Sequence, residues 1–163
     1  MQTHDNLIQG APAWHAHRAK YWNASDSPAM MGCSPYKTRS ALLHERFTGM
    51  TPDIDSATQA RFDNGHRFEA LARELAEKIA GHELYPVVGT MGKMSASFDG
   101  ISLDETVCFE HKTLNDAIRA ATCAAELPEY LRVQMDQQLY VSGSEKCLFM
   151  ASEWDRDDNL IEE

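Results

Sequence analysis

Ser97-Phe98-Asp99-Gly100 and, after five intervening residues, Thr106-Val107-Cys108-Phe109-Glu110-His111-Lys112 decide how this chain is read. The second segment alternates like a strand. Val107 and Phe109 fall on one face, and Glu110 and Lys112 on the other. One face is then expected in the core, while the other carries a carboxylate beside an ammonium. Asp99 adds a second carboxylate at a strand-like turn. Two acids can hold a hard cation such as Mg²⁺ through oxygen. A lysine beside them can act on an attacking water and on phosphate charge, which is the equipment of a metal-dependent phosphodiesterase. Alone, an acid-x-lysine spacing more often marks a solvated strand face or a cross-strand ion pair, so the rest of the chain has to decide.

Working outward, strands are predicted at Leu84–Thr90, Met94–Phe98 and Val107–Thr113, with a hairpin region at Ile101–Glu105. Upstream, Lys37–Gly49 reads as a short helix with Thr38 as N-cap and Gly49 as stop. A loop with Pro52 follows. Ser56 can cap a second helical stretch, which Asn64-Gly65 interrupts. From His66 to Ala80, Phe68, Leu71, Ala72, Leu75 and Ile79 share an apolar face. Glu69 stands about 100° round from Phe68, at the border of that face. Arg73, Glu74, Glu77 and Lys78 read as solvated. Downstream, Asn115–Ala125 reads as an alanine-rich helix. A second helix starts near Pro128 and ends before Gly143, and Lys146–Ala151 reads as a buried strand. Tyr130, Gln134 and Gln138 recur on one helix face, either solvated or turned toward the acids. The expected fold is α/β (α+β), a central mixed sheet flanked by helices.

The chain has 163 residues, enough for one domain with a substantial core, so 1–163 is expected to be a single domain. No apolar run reaches the ~18–20 residues that span a membrane, and the N-terminus carries no secretion signal pattern. Cys33, Cys108, Cys123 and Cys147 form no Cys-x-x-Cys pair, so core thiols in a reducing compartment are expected rather than a zinc or iron–sulfur site. His15 and His17 form a His-x-His that more often packs than binds metal. The net charge of −10 argues against a broadly basic nucleic-acid surface. Its distribution softens that objection. Residues 1–50 net +2, while residues 101–163 net −9. A nucleic-acid groove would be local, built from the N-terminal part and bound metal.

Several motifs now stand in order. They are Trp14-His15-x-x-Arg18, Asn23-Ala24-Ser25-Asp26, Gly32-Cys33-Ser34-Pro35-Tyr36-Lys37, Gly65-His66-Arg67-Phe68-Glu69, the Asp99 and Glu110-His111-Lys112 segments, and Gln134-Met135-Asp136-Gln137-Gln138-Leu139. Over about residues 14–151 the chain resembles the lambda-type (YqaJ-like) viral exonucleases of the PD-(D/E)xK nuclease superfamily. It departs from the family in three places. Phe98 stands where proline is usual. Gln134-Met135-Asp136 replaces Gln-x-Gln, so only Gln134 carries over. The chain also ends soon after its last predicted strand, where related enzymes often continue further.

The resemblance implies a restriction-endonuclease-like core and a Mg²⁺-dependent 5′→3′ exonuclease. Such an enzyme degrades the 5′-phosphorylated strand of linear double-stranded DNA and leaves 3′ overhangs for single-strand annealing recombination. Asp99, Glu110 and the backbone carbonyl of His111 would ligate Mg²⁺, with Mn²⁺ as a substitute. Glu69 would complete the site, which is expected to hold two ions. Lys112 would orient water, and a cation beside it would lower its pKa and allow it to act as a base. Gln134 would bond the water or Lys112. Arg18 and Ser25 would hold the 5′-phosphate, against the plainer readings of a surface ion pair and a helix N-cap. Phe62 is a candidate wedge against the terminal base pair, with a core role the more usual one, and Trp14 and Trp22 are expected to pack. A homotrimeric ring, a single-strand annealing protein partner and a cytoplasmic location in a bacterial or phage-infected cell complete the expectation. The alternatives are an endonuclease on the same core and a catalytically silent subunit that binds DNA ends.

Overall fold

Two strands joined by a tight turn form the centre of the molecule. β3 (Leu84–Met91) and β4 (Met94–Ser102) run antiparallel from Met91 opposite Met94. Gly92, with φ +59°, supplies the positive dihedral that a two-residue hairpin loop requires. The computed structural model describes residues 1–4, 6–50 and 55–163, without the side chains at 56–59 and 61–63. The Pro52 loop, Ser56 as a cap and Phe62 as a wedge lie outside the described residues.

β4 is longer than the predicted Met94–Phe98. It continues through Asp99-Gly100 to Ser102, so Asp99 sits inside a strand and not at its end. Phe98 explains this: its ring is buried against Ala96, Ile101 and Val141, and it leaves the backbone able to pair where proline could not. The turn that follows is closed by Asp104, whose Oδ1 accepts from the Thr106 amide at 3.2 Å and the Ser102 hydroxyl at 2.6 Å. β5 (Val107–Thr113) returns antiparallel to β4, then pairs in parallel with β6 (Lys146–Trp154) from Val107–Lys146 to Thr113–Ser152. A parallel pair needs a crossover, and α5 (Asp116–Arg119) and α6 (Glu129–Ser142) lie in that connection. Among the described residues the sheet order is β1 (Gln2–His4), β3, β4, β5, β6, β7 (Leu160–Glu162), with β2 (Trp22–Asn23) parallel to the start of β4. The sheet is therefore mixed and mostly antiparallel, with helices against it, as expected.

The remaining helices are α1 (Pro12–Arg18), α2 (Ser27–Met31), α3 (Arg39–Thr48) and α4 (Ser56–Ala80). α3 has the predicted ends: Thr38 Oγ1 accepts from the Ala41 amide and Gly49 closes the helix at φ +71°. α4 corrects the sequence reading, because it runs unbroken through Asn64-Gly65 for 25 residues. An internal glycine costs only about 1 kcal/mol. Packing of Ala72, Ala76 and Leu75 against Leu84, Phe109 and Met150 offsets that cost. Ile79, assigned to the apolar face, is 63% exposed and lies outside the core cluster that α4 forms with the sheet. The predicted helix Asn115–Ala125 is a single turn. Asn115 caps it, but Thr122 turns its amide and hydroxyl to Glu126 at 2.8 Å, and this local bonding displaces further helix. β6 is half-buried and three residues longer than predicted, since β7 pairs with its end.

β5 is covered on both sides. Cys108 packs toward Val141 of α6, and Phe109 toward Ala72 and Ala76 of α4. The expected division of β5 into a core face and an open face is thus replaced by two core faces, with Glu110 only 2% exposed. Gly100 is required at the crossing. A Cβ there would lie 2.8 Å from Leu84 Cβ and 3.5 Å from Arg73 Cδ. Gly100→Ala is expected to lower stability by about 1–3 kcal/mol in urea unfolding, and an unchanged midpoint would contradict this packing.

Candidate active site

The β4–β5 ladder is short: it pairs Ile101 with Cys108 and Gly100 with Phe109, and stops. Beyond it the backbone amide of His111 donates to Asp99 Oδ2 at 2.7 Å instead of to the neighbouring strand. The side chain of one strand thereby substitutes for a rung of the ladder, and Asp99 and Glu110 sit on either side of the point where pairing ends.

Glu110 is held by three donors. Lys112 Nζ and Gln134 Nε2 both reach Oε1, the latter at 2.5 Å, and Gln138 Nε2 reaches Oε2 at 2.5 Å. β5 supplies the acid and the lysine two residues apart, and α6 supplies the glutamines one turn apart. Gln138 is completely buried, and among the described residues its Oε1 is the one buried side-chain polar atom without a hydrogen-bond partner. Sequence reasoning placed Gln138 on the right helix face but not in the site. The motif departure at Asp136, which is exposed, is answered one half-turn later by Gln138.

The charges are crowded. Burial, then the carboxylates of Glu110 and Glu69, push Asp99 well above the usual carboxylate range, although Lys112 and the His111 amide oppose the shift. Burial also raises Glu69, against the favourable His66 and Arg73. Burial works against the Lys112 ammonium, but Glu110 and Asp99 outweigh it and hold the group above its ordinary value. The protein's own groups therefore favour the ammonium, and the lowering expected beside a bound cation would act against them. His111 turns its ring away to Ser152 Oγ at 2.7 Å, and burial, with Lys112 adding, pushes it down to about 4. The imidazole is neutral at pH 7, and only the backbone of His111 faces the acids.

Arg73 was read as solvated and is not. Its Nη1 donates to the Asp99 carbonyl at 2.7 Å and lies 3.8 Å from Glu69 Oε1. It ties the acid on α4 to the acid on β4. The i,i+4 spacing from Glu69 to Arg73 was the available signal. Arg73→Ala is expected to cost about 1.5–3 kcal/mol, the range for hydrogen bonds to charged groups. Chemical denaturation measures it, and a loss under half a kcal/mol would show that the link is idle.

Arg18 and Ser25 form a second cluster. Arg18 Nη2 donates to Ser25 Oγ at 2.9 Å, lies 3.6 Å from Asp26 Oδ1, and stacks over Trp14 at 4.6 Å. Ser25 lies within the 3₁₀ turn Ala24–Asp26 and accepts from Arg18, so it is not a helix N-cap. The ion pair with Asp26 does exist, beside the serine. Trp14 also donates to Ser97 Oγ at 3.2 Å, and Trp22 packs under the Arg46 guanidinium at 4.6 Å. α6 joins the two clusters: Gln137 donates to the Trp22 carbonyl at 2.7 Å, next to Gln138 at the acids.

Among the described residues no group of three or more His, Cys, Asp or Glu side chains is gathered into a ready metal cage. Each acid is engaged by protein donors. The donor set nonetheless suits a hard cation in kind, because Asp99, Glu110 and Glu69 are carboxylates, and burial and neighbouring acids already disfavour the charge of Asp99 and Glu69.

A mixed sheet whose strands β4 and β5 part beside two acids and a lysine is the frame of this site. The chain belongs to the YqaJ-like viral recombinase domain family, whose model matches residues 13–145. The crystal structure of an alkaline exonuclease, LHK-Exo from Laribacter hongkongensis, is similar to it with a TM-score of 0.64 and 23% identity, over 91% of this chain and 76% of that one. LHK-Exo in complex with dAMP gives 0.65 and 21% over the same shares. At that identity the likeness speaks for the fold. No curated protein matches the sequence significantly. No helix among the described residues is long and apolar enough to cross a membrane.

Proposed function

We propose that this protein is a Mg²⁺-dependent 5′→3′ exonuclease on linear double-stranded DNA. It removes the 5′-phosphorylated strand and leaves 3′ single-stranded overhangs for single-strand annealing recombination. The observation that carries the reading is the Glu110 carboxylate, buried and held by Lys112, Gln134 and Gln138 across the strand break from Asp99. Family membership and the exonuclease fold support it.

Asp99, Glu110 and Glu69, with the His111 carbonyl, would hold Mg²⁺ or Mn²⁺, as one ion or two. When bound, such ions acidify water and neutralise phosphate charge. The chain's own groups do the rest. Lys112, as an ammonium, orients the attacking water and offsets charge on the phosphate. Gln134 and Gln138 fix the Glu110 carboxylate. Arg73 keeps Asp99 and Glu69 at a set separation. Arg18 and Ser25 present a guanidinium and a hydroxyl to the 5′-phosphate.

The reading extends to residues 1–163 acting as one nuclease domain, in the cytoplasm of a bacterial or phage-infected cell, beside an annealing protein. It also extends to a homotrimeric ring, which would enclose DNA without a strongly basic surface, in keeping with the net charge of −10. Self-association is supported by Phe47, 91% exposed on α3, with Leu43 one turn before it also exposed. Duplexes ending in 5′-phosphate are expected to be degraded about 10–100-fold faster than those ending in 5′-hydroxyl, as charge-assisted hydrogen bonds of that strength imply. Arg18→Ala should erase the difference. Equal rates on both ends with the unaltered protein would remove Arg18 and Ser25 from end recognition.

A further inference from the structure

Tyr36 is a large ring that the fold holds out in solvent. It is 80% exposed, yet its loop is tied down. Ser34 Oγ accepts from the amides of Tyr36 and Lys37, each at 3.2 Å, and the Cys33 and Ser34 amides donate to the Pro28 carbonyl at 3.0 and 3.1 Å. Lys37 is ion-paired to Glu45 of α3 at 2.5 Å. A ring kept exposed by this much bonding is not a loose surface side chain. Its neighbour is Tyr130, with centroids 5.8 Å apart and planes at 86°, and most of the Tyr36 ring remains in solvent. Tyr130 stands on α6 one turn before Gln134, the residue that bonds Glu110. One helical turn is about 5.4 Å, the scale of the step from a phosphate to the base it carries.

We propose that Tyr36, buttressed by Tyr130, is a stacking platform for the nucleobase next to the phosphate at the Glu110–Lys112 centre. This rests on the nuclease reading for the position of the phosphate. The chemistry selects the ligand class: an open aromatic face takes any unpaired base by stacking and makes no sequence choice. Bases at a duplex end must leave their stack as the strand is consumed, and the platform supplies a replacement partner beside the acids.

The test uses the full chain and a duplex with 2-aminopurine at the 5′-terminal position, in EDTA so that binding is read without turnover. The wild type is expected to quench the fluorescent base on binding. Tyr36→Phe should retain the quenching and Tyr36→Ala should lose most of it, with circular dichroism confirming that both fold. With Mg²⁺, Tyr36→Ala should raise KM for DNA ends about tenfold, in line with one lost base stack, by more than any fall in kcat. Equal quenching by the wild type and Tyr36→Ala would overturn the platform while leaving the nuclease reading intact. So would a change of oligomeric size in Tyr36→Ala with quenching retained, which would make Tyr36 a subunit contact. Tyr36-dependent quenching by a wild type that cleaves nothing would support the platform and end the nuclease reading.

Discussion

Lys112→Ala is expected to lower cleavage of linear duplex DNA by about 10²–10⁴-fold, the range for removal of one positioned proton-transfer or charge-stabilising group. The fold should survive. Glu110 keeps Gln134 and Gln138 as donors after the change, and the Lys112 side chain is already about a third exposed, so water can reach the vacated place. Circular dichroism should be unchanged and DNA-end binding retained. Loss of rate with retained binding would separate a chemical role from a structural one. Normal turnover by this variant would remove Lys112 from the mechanism.

Asp99→Asn should give the second large effect, with opposite signs in two assays. Cleavage is expected to fall by about 10³-fold or more, because an amide binds hard cations far less well than a carboxylate. Stability in metal-free buffer at pH 8 is expected to rise. Asp99 is buried beside two other acids, and its folded-state pKa lies above the ordinary aspartate value. Between the unfolded and folded values the native state holds a proton that the unfolded chain has lost, so wild-type stability falls as pH rises through that window and stays reduced above it. Asparagine has no charge to bury, and its oxygen can still accept from the His111 amide. The melting temperatures of the two proteins should converge near pH 4 and separate by a few degrees at pH 8. Mg²⁺ should raise the melting temperature of the wild type more than that of the variant. A variant less stable than the wild type at pH 8 without metal would show that Asp99 is not a strained carboxylate.

The strands that carry these two residues were legible because their signal is local. Period-two alternation over residues 107–112, and caps such as Thr38 and Gly49, act over a few residues and depend little on the rest of the molecule. The acids, the lysine and Gln134 became one set only through the ordered motifs of the family resemblance, and the structure brings those residues together. What escaped depends on distant partners. Asn64-Gly65 looks like a break because glycine is a poor helix former, and only packing of α4 on the sheet keeps the helix whole. Arg73 looks solvated on a helical wheel until β4 presents the Asp99 carbonyl to it. Gln138 could have been a polar surface residue until α6 was seen to press it, fully buried, against Glu110. The strands β1 and β2 span three and two residues, too short for any periodicity, and exist through pairing with β3 and β4.

The most direct test of the account is incubation of the protein with end-labelled linear duplex DNA and Mg²⁺, beside closed circular duplex and an EDTA control. The account predicts progressive, Mg²⁺-dependent loss of the strand from its 5′ end, a surviving complementary strand, intact circles and no reaction in EDTA. Cleavage of the circles would make the protein an endonuclease, and bound but uncut linear DNA would make it a silent end-binding subunit. Either result would contradict the exonuclease assigned to the Asp99, Glu110 and Lys112 centre.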